Sequence, residues 1–256
     1  MTYWQQLAVG GPLMFLAAFI DSVAGGGGLI SLPAYYLIGL PPHLALGCNK
    51  CSAAMGTLVA TLQYVRGQYI YRPILVVSVL GALVGSYAGA EAAQRISEIY
   101  LQYLMLILVP IIAVFTVCKR DFLVAVDRHL SPLKANVLGG LTALLLGFYD
   151  GFFGPGTGMF LMIIYVSLMG LPVVTAGGTA KVVNLATTIA SLVSFGGSGN
   201  IDYSLAIPFG LLSILGGYTG AHLTIRGGLK IIKPVMLVVI FLLMISIGKD
   251  VALTLL

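Results

Sequence analysis

Four charged side chains lie inside long apolar stretches of this chain, and they form two matched pairs. Asp21 and Lys50 fall in the first half, Asp150 and Lys181 in the second. The other Lys, Arg, Asp and Glu residues sit in or beside short polar breaks. A charge at the centre of a bilayer costs roughly 2.5–3.5 kcal/mol on insertion scales, so a charge held there marks a functional site. Composition makes lipid the relevant surroundings. The chain of 256 residues is 59% hydrophobic and only 8% charged, whereas a soluble domain carries about 25% charged residues. So few charges cannot cover a water-facing surface.

Residues 1–20, 99–118, 182–201 and 203–221 contain no charged side chain. Each approaches the roughly 20 residues that cross a hydrocarbon core as a helix. The short alternating segments of a membrane barrel are absent. The fold class is therefore an all-α polytopic membrane protein forming a single transmembrane domain over 1–256. The first apolar run lacks a basic start, and Asp21 with four glycines stands where a cleavage site would be, so it reads as a helix rather than a signal peptide. The net charge of +5 comes from clusters at Arg66/Arg72, at Lys119/Arg120/Arg128/Lys134 and at Arg226/Lys230/Lys233. In a membrane protein such loops face the cytoplasm, and no nucleic-acid partner is implied.

The chain repeats itself. Asp21 followed by Gly25–Gly28 matches Asp150 followed by Gly154-Pro155-Gly156-Thr157-Gly158. Gly39-Leu40-Pro41 matches Gly170-Leu171-Pro172, Gly47 and Lys50 match Gly178 and Lys181, Thr57 matches Thr188, and Arg95 matches Arg226. Repeat 1 covers about 7–118 and repeat 2 about 135–250, joined by the loop 119–134. Each divides into five segments, near 7–24, 29–40, 43–65, 73–91 and 98–118, then 135–152, 158–170, 173–196, 203–222 and 232–248. The second segment of each is too short to span and suits a re-entrant half-helix, giving 8–10 segments in all. If loops 66–72, 119–134 and 226–233 are cytoplasmic, 92–98 and 197–202 lie outside. The repeats are then inverted, with both termini outside the cytoplasm. Inverted repeats belong to secondary transporters, whose site lies between the copies near the midplane.

A broken helix in a bilayer is tolerated where protein or a water-filled cavity satisfies its backbone. Glycine lets amides approach a ligand closely. A helix starting beyond the glycines offers free N–H groups to an anion. Gly27, Gly28, Gly156, Thr157 and Gly158 are candidates on that ground, with close packing as the competing reading. No G-K-[ST] follows, so neither loop is a nucleotide-binding P-loop. Lys50 and Lys181 stand seven or eight residues into the third segment, about 10–12 Å along its axis. They are candidates to converge on one anion, unless each simply pairs with its own Asp. Asp21 and Asp150 either anchor the loops and lysines or carry a proton. Asn49 and Asn184 flank the lysines and can donate to an oxyanion. Cys48 and Cys51, with Cys118, lack further ligands and read as packing residues. His43, His129 and His222 form no metal pattern. The glycine stripes at 81/85/89 and 216/220 read as close helix packing, and Tyr149, Phe152 and Phe153 as packing near the cavity. No metal, cofactor or catalytic residue is expected.

The motifs FIDSVAGGGGLISLP (19–33) with GLPPHLALGCNK, and GFYDGFFGPGTG (147–158) with GLPVVTAGGTAK, resemble the sulfite exporter TauE/SafE family over nearly the whole chain. The resemblance implies transport of small anions, often sulfite or organosulfonates, across the bacterial inner membrane. Lys50 and Lys181 fall where the family commonly has a lysine. It also implies about eight spans, so some short segments do not cross fully. The expected function is a secondary transporter, an exporter, of a small anionic solute. A passive anion channel is the alternative, and a membrane-embedded enzyme a more distant one, since the buried residues offer no cluster of His or Glu.

Overall fold

The computed structural model describes residues 1–104, 107–108, 111, 130–228, 230–232 and 235. Its helices are α1 (Tyr3–Ala24), α2 (Gly28–Leu37), α3 (Pro42–Arg66), α4 (Leu75–Gln94, entered by a 3₁₀ turn at Arg72–Ile74), α5 (Pro132–Phe152), α6 (Thr157–Ser167), α7 (Val173–Gly197) and α8 (Tyr203–Gly227). No strand occurs among the described residues. The fifth segments expected near 98–118 and 232–248 fall largely outside the described residues, apart from a helical stretch at 98–104. Most of the loop 119–134, with Cys118 and His129, falls outside them as well.

The boundaries follow from local chemistry. A capping box of Thr2 and Gln5 starts α1, and α1 ends at Gly25 in the left-handed conformation, φ 78°. Proline opens α3 and α5, where its missing N–H is not needed. The Asp202 carboxylate accepts the Ser204 amide and caps α8. Gly39 and Gly170, at φ 93° and 68°, stop α2 and α6. At 10 and 11 residues these two helices are about 15 Å long, half of a hydrocarbon core.

Among the described residues five helical spans are long and apolar enough to cross a membrane: α1, 72–94, α5, α7 and α8. The 25-residue α3 has the length as well. It carries Asn49, Lys50, Ser52, Thr57 and Thr61 in its buried face and so falls below the same apolar threshold. Its polarity is concentrated inward, where helices rather than lipid surround it.

Packing joins the two halves of the chain at every turn. The most extensive helix contacts are α4 with α5, α1 with α8, α3 with α8, α4 with α7 and α3 with α7, each pairing a first-half helix with a second-half one. Along α1 and α8, Gly10 meets Phe209, Phe15 meets Gly216 and Phe19 meets Gly220, so both run the same way. Along α4 and α5, Gly81 meets Gly140, Gly85 meets Leu144 and Gly89 meets Phe148, again in parallel. α3 and α7 run oppositely: Gly47 faces Asn200, Thr61 Oγ1 donates to the Lys181 carbonyl (3.2 Å), and Tyr64 faces Gly178. The glycine stripes let neighbouring backbones touch, as their spacing suggests.

The loops sort onto two ends of the bundle. At one end the Asn200 amide donates to Gln94 Oε1 (3.0 Å), His43 Nε2 donates to the Ile96 carbonyl (3.1 Å), and Tyr3 donates to the Ser204 carbonyl. At the other end the Tyr71 amide donates to Thr179 Oγ1 (2.9 Å).

Candidate anion site between the half-helices

The four charges meet near the centre of the bundle, paired across the halves. Lys50 Nζ donates to Asp150 Oδ2 at 2.8 Å and to the Asp150 carbonyl at 2.5 Å. Lys181 Nζ donates to Asp21 Oδ2 at 2.6 Å. Neither lysine pairs with the aspartate of its own repeat. Both ammonium groups are deeply buried, and a buried charge is tolerated only when paired and hydrogen-bonded. The two aspartates differ: the Asp150 side chain is 5% exposed, that of Asp21 21%.

The aspartates occupy these places because each lies near the end of a helix that breaks at glycine. Asp21 holds its own loop by accepting the Gly27 amide at Oδ1 (3.3 Å) and the Gly25 amide at its carbonyl (2.8 Å). On the second copy, Tyr149 donates to the Pro155 carbonyl (2.6 Å) and Thr157 Oγ1 to the Gly154 carbonyl (2.9 Å). The two loops are also each other's partners. The Met159 amide donates to the Gly25 carbonyl at 2.9 Å. A side chain at Gly25 would strike the backbone of Gly158 and Met159. One first-turn amide of α6 is therefore spent on the opposite loop and is not free for a ligand. Tyr149 proves to be a loop anchor, a role beyond the packing expected of it.

Beside this junction lies a cavity of about 50 Å³, room for a few waters or one small oxyanion. Gly27, Gly28, Gly156, Thr157, Gly158, Asn49, Asn184, Lys50, Asp21 and Asp150 all line it. Lys181 does not; Asp21 stands between it and the cavity. The picture of two lysines converging directly on one solute thus gives way to one lysine in the wall and one behind a carboxylate. An ammonium has three donors, and Lys50 spends two on Asp150, leaving one. Ser31 Oγ donates to Asn49 Oδ1 at 2.6 Å and fixes that amide. Asn184 is 8% exposed as a residue, lines the cavity, and its side chain has no hydrogen-bond partner among the described residues. Its amide is therefore available to whatever occupies the cavity.

Thr57, Thr188, Ser52 and Ser213 also line the cavity and were not singled out as site residues. The matched positions of Thr57 and Thr188 in the repeat were the available signal. A second polar cluster also escaped attention: Ser194 Oγ donates to Glu91 Oε1 (2.8 Å), and Gln94 Nε2 donates to Ser194 Oγ (2.7 Å). Cys48 and Cys51 are buried free thiols; Cys48 Sγ accepts the Asp202 amide at 3.2 Å and serves packing between α3 and α8. Among the described residues no three His, Cys, Asp or Glu gather as metal ligands would.

Fold and site together define a polytopic helical membrane transporter, with two half-helices meeting beside buried, paired charges. Residues 11–247 match the family described as sulfite exporter TauE/SafE, and the chain belongs to that family. It is similar to the probable membrane transporter protein ORF9 of a Sinorhizobium species, at 33% identity over 92% of this chain and 90% of that one. A probable membrane transporter protein of Haemophilus influenzae is 34% identical over 92% of each chain. The probable membrane transporter protein YfcA of Escherichia coli K12 is 32% identical over 88% of this chain and 82% of its own. No solved structure matches this chain.

Proposed function

We propose that this protein is a secondary transporter that exports a small anion, a sulfur oxyanion or organosulfonate such as sulfite, across the cytoplasmic membrane. The observation that carries this reading is the cavity itself. It joins the third donor of Lys50, the unpartnered amide of Asn184 and the start of α2. A helix start and convergent donors in a low-dielectric setting favour negative charge. Lys50, Asn49, Asn184, Gly27, Gly28, Gly156, Thr157 and Gly158 are the proposed solute contacts. Lys181, Asp21 and Asp150 set the field around them.

The two repeats are read as inverted copies, 7–118 and 135–250. The opposed directions of α3 and α7 support this, as does the reciprocal pairing of α1 with α8 and of α5 with α4. The contact between Gln94 and Asn200 supports a common side for loops 92–98 and 197–202. With the basic loops cytoplasmic, that side is outside, and both termini lie there. Rocking of one bundle against the other would expose the cavity alternately.

The test is flux in proteoliposomes with sulfite, thiosulfate, sulfate and methanesulfonate, in the wild type and in Asn184→Ala. Saturable uptake with counterflow, weakened in the variant, is expected. Linear flux without counterflow would replace the carrier by a pore. Absence of flux for all four solutes would overturn the anion assignment.

A further inference from the structure

We infer that solute binding is coupled to protonation of Asp21, and that the site therefore takes a singly charged anion together with a proton. This rests on the anion reading above, specifies its charge and its coupling ion, and sets the direction: with an inward proton gradient, proton–anion co-transport runs as uptake, so net export is expected only where the anion gradient exceeds the proton gradient.

The argument begins with charge balance. The charged groups at the junction are Lys50, Lys181, Asp21 and Asp150, two of each sign, so the site is neutral before anything binds. An anion entering this enclosed space adds a charge with no counter-charge. Bringing an uncompensated ion out of water costs several kcal/mol even after relaxation. A lone positive side chain would solve this, but both ammonium groups are already matched.

The two carboxylates are not equally able to accept the balancing proton. Asp150 lines the cavity too but is the more tightly held: its side chain is 5% exposed, and both its Oδ2 and its carbonyl accept from Lys50. Asp21 lines the cavity, is 21% exposed on its side chain and binds Lys181 through a single oxygen. It therefore meets cavity water, through which a proton arrives. Asp21 also screens Lys181, which does not reach the cavity. Protonating it removes the negative charge and leaves the positive charge of Lys181 unscreened behind the wall. The proton bonds to a carboxylate oxygen of Asp21, and Lys181 keeps its own. The site then carries one net positive charge, which a monoanion on Lys50 and Asn184 neutralises. A dianion leaves a surplus negative charge and is disfavoured.

The titratable and charged groups around Asp21 fit this assignment. α7 brings Lys181. α3 brings Lys50 and Tyr64, whose hydroxyl donates to the Ser22 carbonyl next to Asp21. α5 brings Asp150 across the cavity. From α2, α6 and α8 the lining residues are Gly28, Ser31, Thr157, Gly158 and Ser213, none of them charged. Of the two cavity-lining carboxylates, Asp21 is thus the more exposed and the one that can take a proton without disturbing the doubly bonded Lys50–Asp150 pair.

Methanesulfonate is the probe, because it remains singly charged and carries no proton of its own near neutrality. Binding to the purified protein in weakly buffered, sodium-free solution is followed by isothermal titration, with a pH-indicator dye reporting proton uptake. Proton uptake in proportion to bound sulfonate is expected, with sulfate binding weaker on the order of tenfold or more. Asp21→Glu should keep the uptake. Asp21→Asn should bind sulfonate without it and, in proteoliposomes, lose acceleration by a pH gradient while keeping sulfonate–sulfonate exchange. Sulfonate binding by the wild type with no proton uptake, or with an absolute need for sodium, would overturn the coupling and leave the anion reading standing. Equal affinity for sulfate and methanesulfonate would also overturn it. No binding of either probe by the wild type would instead remove the anion reading.

Discussion

Lys50–Asp150 and Lys181–Asp21 are the same two residue types at matched places in the repeat, yet they work under different conditions. The first pair is the more tightly held: both side chains line the cavity but are almost wholly buried, and Lys50 also grips the Asp150 carbonyl in the last turn of α5. The second is open on one side, where Asp21 meets the cavity. One junction thus holds a tightly braced pair and a more exposed counterpart. The degree of burial and the number of hydrogen bonds, not residue identity, separate them, because an ion pair held by two bonds and little exposed is harder to rearrange than one held by a single bond with a partly exposed carboxylate.

The sharpest way to break this contrast is Lys50→Ala. It strands the more deeply buried carboxylate, and a loss of about 3–5 kcal/mol is expected. Thermal unfolding in detergent should show it, and Asp150→Asn on top should recover part of the loss. Lys181→Ala strands a carboxylate that water can reach, so a smaller loss, about 1–3 kcal/mol, is expected in the same assay. Equal losses for the two lysines would erase the distinction. Gly25→Ala probes the loops that carry the pairs: with φ at 78° and the other loop's backbone in contact, it should cost about 1–3 kcal/mol. It should also reduce flux more than Gly28→Ala, whose Cβ would meet only Pro155 at 3.0 Å. The smallest effect on stability belongs to Asn184→Ala, about 1 kcal/mol or less, since its amide has no protein partner to lose. Anion affinity should still fall by about tenfold, measured by titration with methanesulfonate.

Much of the scaffold could be read before any coordinates. Gly39 and Gly170 marked where the short helices end, and the glycine runs marked where they begin, so α2 and α6 emerged within three residues of the expected bounds. Asp21, Lys50, Asp150 and Lys181 stood out because apolar sequence surrounded them. Their partnership did not. Asp21 and Lys50 lie in the same half of the chain, which made pairing within a copy the competing reading. The actual partners are set by helix directions and cross-half packing, which no local pattern encodes. Likewise, nothing in the glycine loops announced that the Met159 amide would be spent on the Gly25 carbonyl. Asn184 carried no repeat signal, since the matched position in the first copy is Ala53.

The crossed pairing has a consequence for biogenesis. Asp21 lies 160 positions from Lys181, and Lys50 lies 100 from Asp150. The ribosome therefore delivers α1 and α3 to the membrane well before their counter-ions have been translated. During that interval both side chains must lean on provisional neighbours, on water at the insertion machinery or, for Asp21, on a proton. Neither can settle until α5 and α7 arrive. Translation order thus turns the two ion pairs into the closing stitches of assembly, placed only when the second half of the chain has entered the bilayer.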